Sequence, residues 1–94
     1  MNVGDTIEFK YRGSRLIAKV KSIKAFSSLT ENEYLPFLFE ADVKILKNAF
    51  AILLYIDDKH QRYIYELNGK YYVYANAKCE VRVLTDKEAL IESI

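Results

Sequence analysis

One histidine and one cysteine occur among the 94 residues, so the acid–base and nucleophilic chemistry open to this chain is narrow. His60 closes the run Asp57-Asp58-Lys59-His60. Two carboxylates and an imidazole could ligate a metal ion, but Lys59 repels a cation there and the sequence signals no fourth ligand. A solvated loop accounts for the same residues. Cys79 alternates with Val81 and Val83, the pattern of a small buried hydrophobe. No local signature places it, or a serine, beside His60. Gly4, Gly13 and Gly69 stand alone, so there is no glycine-rich phosphate loop. The reading is of a protein that is not an enzyme, with no cofactor and no metal site.

Binding chemistry is better represented. Lys10, Arg12, Arg15, Lys19 and Lys21 follow one another at spacings that fit one face of a twisted hairpin. Such a row of cations tracks a phosphate backbone, and Lys24 continues it. Tyr63, Tyr65, Tyr72 and Tyr74 form the second pattern, which offers ring faces for stacking bases or for a protein partner. Each pattern has a structural explanation as well. Cations on an outer face keep it solvated and discourage edge pairing. Cross-strand aromatic pairs contribute roughly 0.2–1 kcal/mol each to a half-buried sheet. Four hydroxyls on one face are hard to satisfy in a dry core, so the ring edges are expected to meet water or another chain.

These residues need strands to hold them. In RYIYELNGKYYVY, residues 62–74, Asn68-Gly69 is the preferred dipeptide for a type I′ turn, since both positions require φ > 0. Tyr, Ile and Val flank it. That turn sets Leu67 opposite Lys70, Tyr65 opposite Tyr72 and Tyr63 opposite Tyr74, with Glu66–Tyr71 and Ile64–Val73 on the other face. Residues 5–23 read as another hairpin, with Gly13-Ser14 fitting a type II′ turn. Ile7, Phe9, Tyr11, Leu16, Ala18 and Val20 then share one face, the cations take the other, and Glu8 stands opposite Lys19.

Between the hairpins, Thr30-x-x-Glu33 matches a capping box for a helical turn that Pro36 should end. Residues 37–58 carry two patterns. As a helix capped by Asp42, they put Lys44, Lys47, Asn48, Ala51, Tyr55 and Asp58 in a stripe opposite Ile45, Leu46, Ala49, Phe50, Leu53 and Ile56. As strands, Phe37, Phe39, Ala41, Val43 and Ile45 alternate with Glu40, Asp42 and Lys44, and Lys47-Asn48 turns into a buried strand over residues 50–56. Asp57 and Asp58 suit a helix C-terminus poorly and the neighbours are sheet, which favours strands, whereas the polar stripe favours the helix, so the sequence leaves both readings open. A last strand runs from Cys79 to about Leu84. Thr85-x-x-Glu88 then starts a short helix bearing Leu90, Ile91 and Ile94.

The whole is expected to be a single domain, residues 1–94, with a small mainly β (α+β) fold: a bent antiparallel sheet or barrel, SH3-like or PUA-like, with one or two short helices. The net charge of +1 argues against a strongly polybasic protein. Residues 1–24 nevertheless hold six basic and two acidic residues, and residues 25–58 the reverse, two and six. That split permits a basic patch. A lone cysteine, no secretory signal pattern and no apolar run long enough for a bilayer imply a soluble, cytoplasmic protein with no membrane partner.

The run GDTIEF, residues 4–9, followed by AKVKSIKAFSSL, residues 18–29, resembles the Gly-Asp strand and the strand after it in PUA-like domains of the ASCH type. The resemblance implies a small β-barrel linked to RNA binding. It covers about a quarter of the chain, and the Gly-x-Lys-x-x-Glu-x-Arg motif that precedes the Gly-Asp in that family is absent, so no active group is carried over. The resulting expectation is a non-enzymatic nucleic-acid-binding module for RNA or another single strand. Lys10, Arg12, Arg15, Lys19 and Lys21 would contact phosphate, and Tyr63, Tyr65, Tyr72 and Tyr74 would stack. The alternative is a protein-interaction or inhibitor protein that self-associates, as a homodimer, through the tyrosine face.

Overall fold

The computed structural model describes residues 1–34, 38, 40–74 and 77–92. Six antiparallel strands follow one another around a closed barrel: β1 (Thr6–Tyr11), β2 (Ser14–Ala25), β3 (Phe50–Tyr55), β4 (Gln61–Leu67), β5 (Lys70–Tyr74) and β6 (Ala77–Val83). Pairing of β6 with β1 closes the ring. Among the described residues, three short α-helices complete it, α1 (Glu31–Tyr34), α2 (Glu40–Leu46) and α3 (Asp86–Glu92), with a 3-10 turn at Phe26–Ser28. The expected small mainly β fold is the one observed. Alternation along the strands sends Ile7, Phe9, Ala18, Val20, Ile52, Leu54, Ile64 and Val73 into the barrel, where they form one buried cluster. Among the described residues, no helix is long and apolar enough to cross a membrane.

The β4–β5 hairpin has the register its turn dictates: Leu67 faces Lys70, Glu66 faces Tyr71 and Tyr65 faces Tyr72. Asn68 and Gly69 take φ of +53° and +79°. The β1–β2 hairpin differs from expectation. Its turn is Arg12-Gly13, with φ of +51° and +78°, not Gly13-Ser14. Lys10 therefore pairs with Arg15 and Phe9 with Leu16. Glu8 stands opposite Ile17, not Lys19, and Lys19 pairs with Thr6. Because the offset is two residues, every side chain keeps its face. A type I′ turn matches the twist of the flanking strands, and that gain outweighs the cost of a left-handed arginine.

Residues 37–58 divide between the two patterns. The strand reading is correct for β3 and for the turn at Lys47-Asn48. It is incorrect for Glu40, Ala41, Asp42, Val43, Lys44 and Ile45, which lie in α2; the helix begins at Glu40, so Asp42 is not its cap, and Phe37 and Phe39 lie outside the described residues. Six strands already close the ring, so no edge remains for a further strand. The outer face of β3, β4 and β5 instead needs a cover. Val43 and Leu46 supply it at helical spacing, and Ile45, which alternation would have buried with Val43, is 47% exposed. Phe26, Leu29, Leu38, Leu46, Ala49, Ala51 and Tyr65 make this second buried cluster. Phe26 N–H donates to the Ala49 carbonyl at 2.9 Å and ties the two ends of the excursion together.

The Thr85 capping box forms in full and the Thr30 box in half, since Glu33 N–H donates to the Thr30 carbonyl and not to its hydroxyl. Thr30 N–H donates to the Glu33 carboxylate at 3.0 Å before α1. Thr85 and Glu88 bond reciprocally at 3.2 Å before α3. The expected stop at Pro36, the side chain of Tyr74 and Ile94 lie outside the described residues.

Candidate nucleic-acid interface

Tyr63, Tyr65 and Tyr72 do not form an open platform. Ala51, Tyr65 and Tyr72 stand side by side on the outer face of β3–β5, and the small Ala51 leaves room for Phe26 to meet the Tyr65 ring edge-on at 5.7 Å. Tyr65 is fully buried, its hydroxyl has no hydrogen-bond partner, and burial raises its pKa. Its ring faces only the protein. Tyr63 and Tyr72 are half-buried against the same cluster, with the Tyr63 and Tyr65 rings stacked at 6.3 Å. For Tyr74 only the backbone is described, paired with Ala77. The structure thus places this face under the helical excursion of residues 26–49.

The cations share the opposite flank, where β6, β1 and β2 lie side by side. Glu8 sits among them, only 8% exposed. Arg15 Nε donates to it at 2.7 Å, Lys10 Nζ lies at 3.5 Å and Arg82 Nη2 at 3.6 Å. The Arg15 hydrogen bond, and then the charges of Arg15, Lys10 and Arg82, hold the Glu8 carboxyl below its ordinary range against the opposing effect of burial. Helix α3 adds Glu92 to Arg15 and Glu88 to Arg82. Arg15 is therefore bound into a network of carboxylates, an arrangement the sequence did not reveal because it depends on the β1–β6 closure and on α3.

Arg12, Lys19 and Lys21 are exposed, and among the described residues no ion pair involves them. Arg12 lies 5.4 Å over the Tyr11 ring. At this tip Lys10, Tyr11, Arg12, Ser14 and Arg15 meet Lys78, Cys79 and Glu80 of β6 around a groove of about 740 Å³. Four cations line it against one carboxylate. Burial pushes the half-buried Cys79 thiol up to about 11, with Arg62 opposing, so Cys79 stays a neutral wall of the groove. Lys78 and Glu80 were missed in the sequence because only closure of the ring brings β6 beside the β1–β2 tip.

The His60 loop is self-contained. Asp57 accepts from the backbone N–H groups of Lys59 and His60 and contacts His60 Nδ1 at 2.8 Å. The Lys59 N–H bond is the main cause of its lowered pKa, followed by His60. Among the described residues no cluster of three acidic, histidine or cysteine side chains could hold a metal ion. No family model matches the chain, and no curated protein or solved structure matches it either.

Proposed function

We propose that the protein is a nucleic-acid-binding module that holds a phosphate backbone in the groove at the β1–β2 tip. The observation that carries this reading is the convergence of Lys10, Arg12, Arg15 and Lys78 on one groove, where Arg12 and Lys78 have no ion-pair partner among the described residues and Glu80 lines the wall, in a chain of net charge +1. Concentration of positive charge at one place in a near-neutral molecule is an electrostatic footprint for a polyanion. Arg12 and Lys78 are the primary phosphate contacts, and Lys10 and Arg15 are shared with Glu8. The resemblance of residues 4–9 and 18–29 to RNA-linked barrels supports the same reading. Self-association through the tyrosine face would have to use the edges of Tyr63 and Tyr72, since Tyr65 offers no surface.

The test is fluorescence anisotropy with labelled single-stranded RNA across a salt series. Neutralisation of roughly four phosphates gives a slope of log affinity on log salt near about −3. Arg12→Glu combined with Lys78→Glu should remove binding and leave the melting temperature unchanged. Binding by that variant as tight as wild type, or none by wild type at low salt, would overturn the reading.

A further inference from the structure

The conformation of β2 changes at Lys21. Lys19 pairs with Tyr55 and Val20 with Leu54, but the next pair is Ser22 with Leu53, so Lys21 is the extra residue of a bulge. The extra residue resets the alternation, and both Val20 and Ile23 point to the barrel core. The backbone groups of Val20 are taken by the N-terminal segment: its N–H donates to the Asp5 carbonyl at 2.8 Å, and its carbonyl accepts from Gly4 N–H at 2.9 Å. Gly4, at φ +94°, turns the chain so that Val3 lies beside this segment. The result is a cleft of about 290 Å³ lined by Val3, Gly4, Lys19, Val20, Lys21 and Tyr55.

Three properties of the cleft suit an unstacked base with its phosphates. Tyr55 is 39% exposed and Val3 63%, so an apolar floor and a ring are open to solvent. Lys19 is directly across from Tyr55, and the Lys21 ammonium lies over the Tyr55 ring at 5.5 Å from its centroid, so Lys21 occupies one face of the ring and a base would stack on the other. Asp5, the carboxylate nearest in sequence, accepts from the Asn2 N–H at 2.7 Å, and Asp57, beyond Tyr55, is held by His60. The cleft also shares a strand face with the groove. Arg15 and Lys19 are four residues apart on β2, or ~13 Å at ~3.3 Å per residue, the span of roughly four stacked nucleotides at ~3.4 Å each.

We infer that Tyr55, flanked by Lys19 and Lys21, is the base-stacking subsite of the nucleic-acid interface, and that it selects single strands over duplex. The inference rests on the reading of the groove as a phosphate site and adds an exposed ring, which the buried Tyr65 does not supply. A duplex keeps its bases stacked inside and cannot lay one on Tyr55, whereas a single strand can.

The test compares two labelled probes of equal length and charge, a single-stranded oligonucleotide and its abasic counterpart, on wild type, Tyr55→Ala and Tyr55→Phe. Loss of one stacked base corresponds to roughly 5- to 150-fold in affinity. Tyr55→Ala should weaken the base-bearing probe by at least about fivefold and leave the abasic probe unchanged, and Tyr55→Phe should bind as wild type. Equal loss for both probes, or no loss for either, would overturn the subsite while the groove reading stands. Failure of wild type to bind either probe would remove both. A melting curve for Tyr55→Ala superimposable on wild type excludes a folding defect as the cause.

Discussion

Glu8 accepts a 2.7 Å hydrogen bond from Arg15, and this bond is the centre of the charged flank. The pair joins β1 to β2 on the barrel exterior, and Lys10 and Arg82 share the same carboxylate. A nearly buried carboxylate is tolerated because three cations surround it. The binding flank is thus also a structural element, and its cations are not equivalent.

The first prediction concerns acid. The Glu8 carboxyl is held below its ordinary value of 4.5, chiefly by the Arg15 hydrogen bond. Its contribution to stability is full above that value and is lost as pH falls through the lowered folded-state value. Glu33, Asp57 and Glu88 are lowered as well and act in the same direction. Thermal melting followed from neutral pH into acid should show Glu8→Gln less stable than wild type at neutral pH and less sensitive to acid. Parallel curves for the two proteins would contradict this.

Glu88 and Glu92 compete with any polyanion for Arg82 and Arg15. The double substitution Glu88→Gln with Glu92→Gln should therefore tighten oligonucleotide binding several-fold and steepen its salt dependence by up to two phosphates' worth. Glutamine still completes the capping box with Thr85, so α3 should persist in circular dichroism. Unchanged affinity would mean that the two arginines take no part in binding.

Arg12 separates stability from binding. A left-handed arginine costs about 1–2 kcal/mol that glycine or asparagine largely avoids. Its φ is +51° at the tip of the β1–β2 turn. Arg12→Asn should raise the unfolding free energy by up to about 1 kcal/mol in urea titration and weaken nucleic-acid binding. Effects of the same sign on both quantities would argue that the arginine is there for the turn alone.

Tyr65 gives a prediction about the second core. Its hydroxyl is buried without a partner. Tyr65→Phe should match or exceed wild-type stability, by about 1 kcal/mol. Tyr65→Ala should cost about 3–5 kcal/mol, because it opens a cavity between Phe26 and Ala51. Neither substitution should alter binding by a properly folded sample. Chemical denaturation checks the first two outcomes and anisotropy the third.

The parts of the fold legible in the sequence were those fixed by local chemistry. Asn68-Gly69 specified the β4–β5 register, and Thr85-x-x-Glu88 marked the start of α3. Period-two alternation sorted the faces of β1 and β2 even though the turn lies one residue earlier than Gly13-Ser14. The rest depended on distant partners. Val43 and Leu46 belong to a helix because β3–β5 needed a cover, and residues 42–45 alone fit either structure. Alternation put Tyr63, Tyr65 and Tyr72 on one face as expected, but whether that face was open or covered was set by Phe26, Leu29, Leu38 and Leu46. For the same reason Tyr55 read as one more residue of an apolar strand. Its place beside Lys19 follows from the β2–β3 pairing, and a bulge cannot be read from composition.

The β1–β6 seam has a kinetic consequence. Every other strand pair joins neighbours in sequence, so the seam is the contact of longest range and the one with the greatest loop-closure entropy. The groove straddles it, with Lys10 to Arg15 on one side and Lys78 to Glu80 on the other. A chain with the five sequential strand pairs formed and the seam open has no groove at all. The ligand would then bind only the closed ring, shift the balance toward closure by mass action, and slow its reopening, so that occupancy itself would act as the clasp of the barrel.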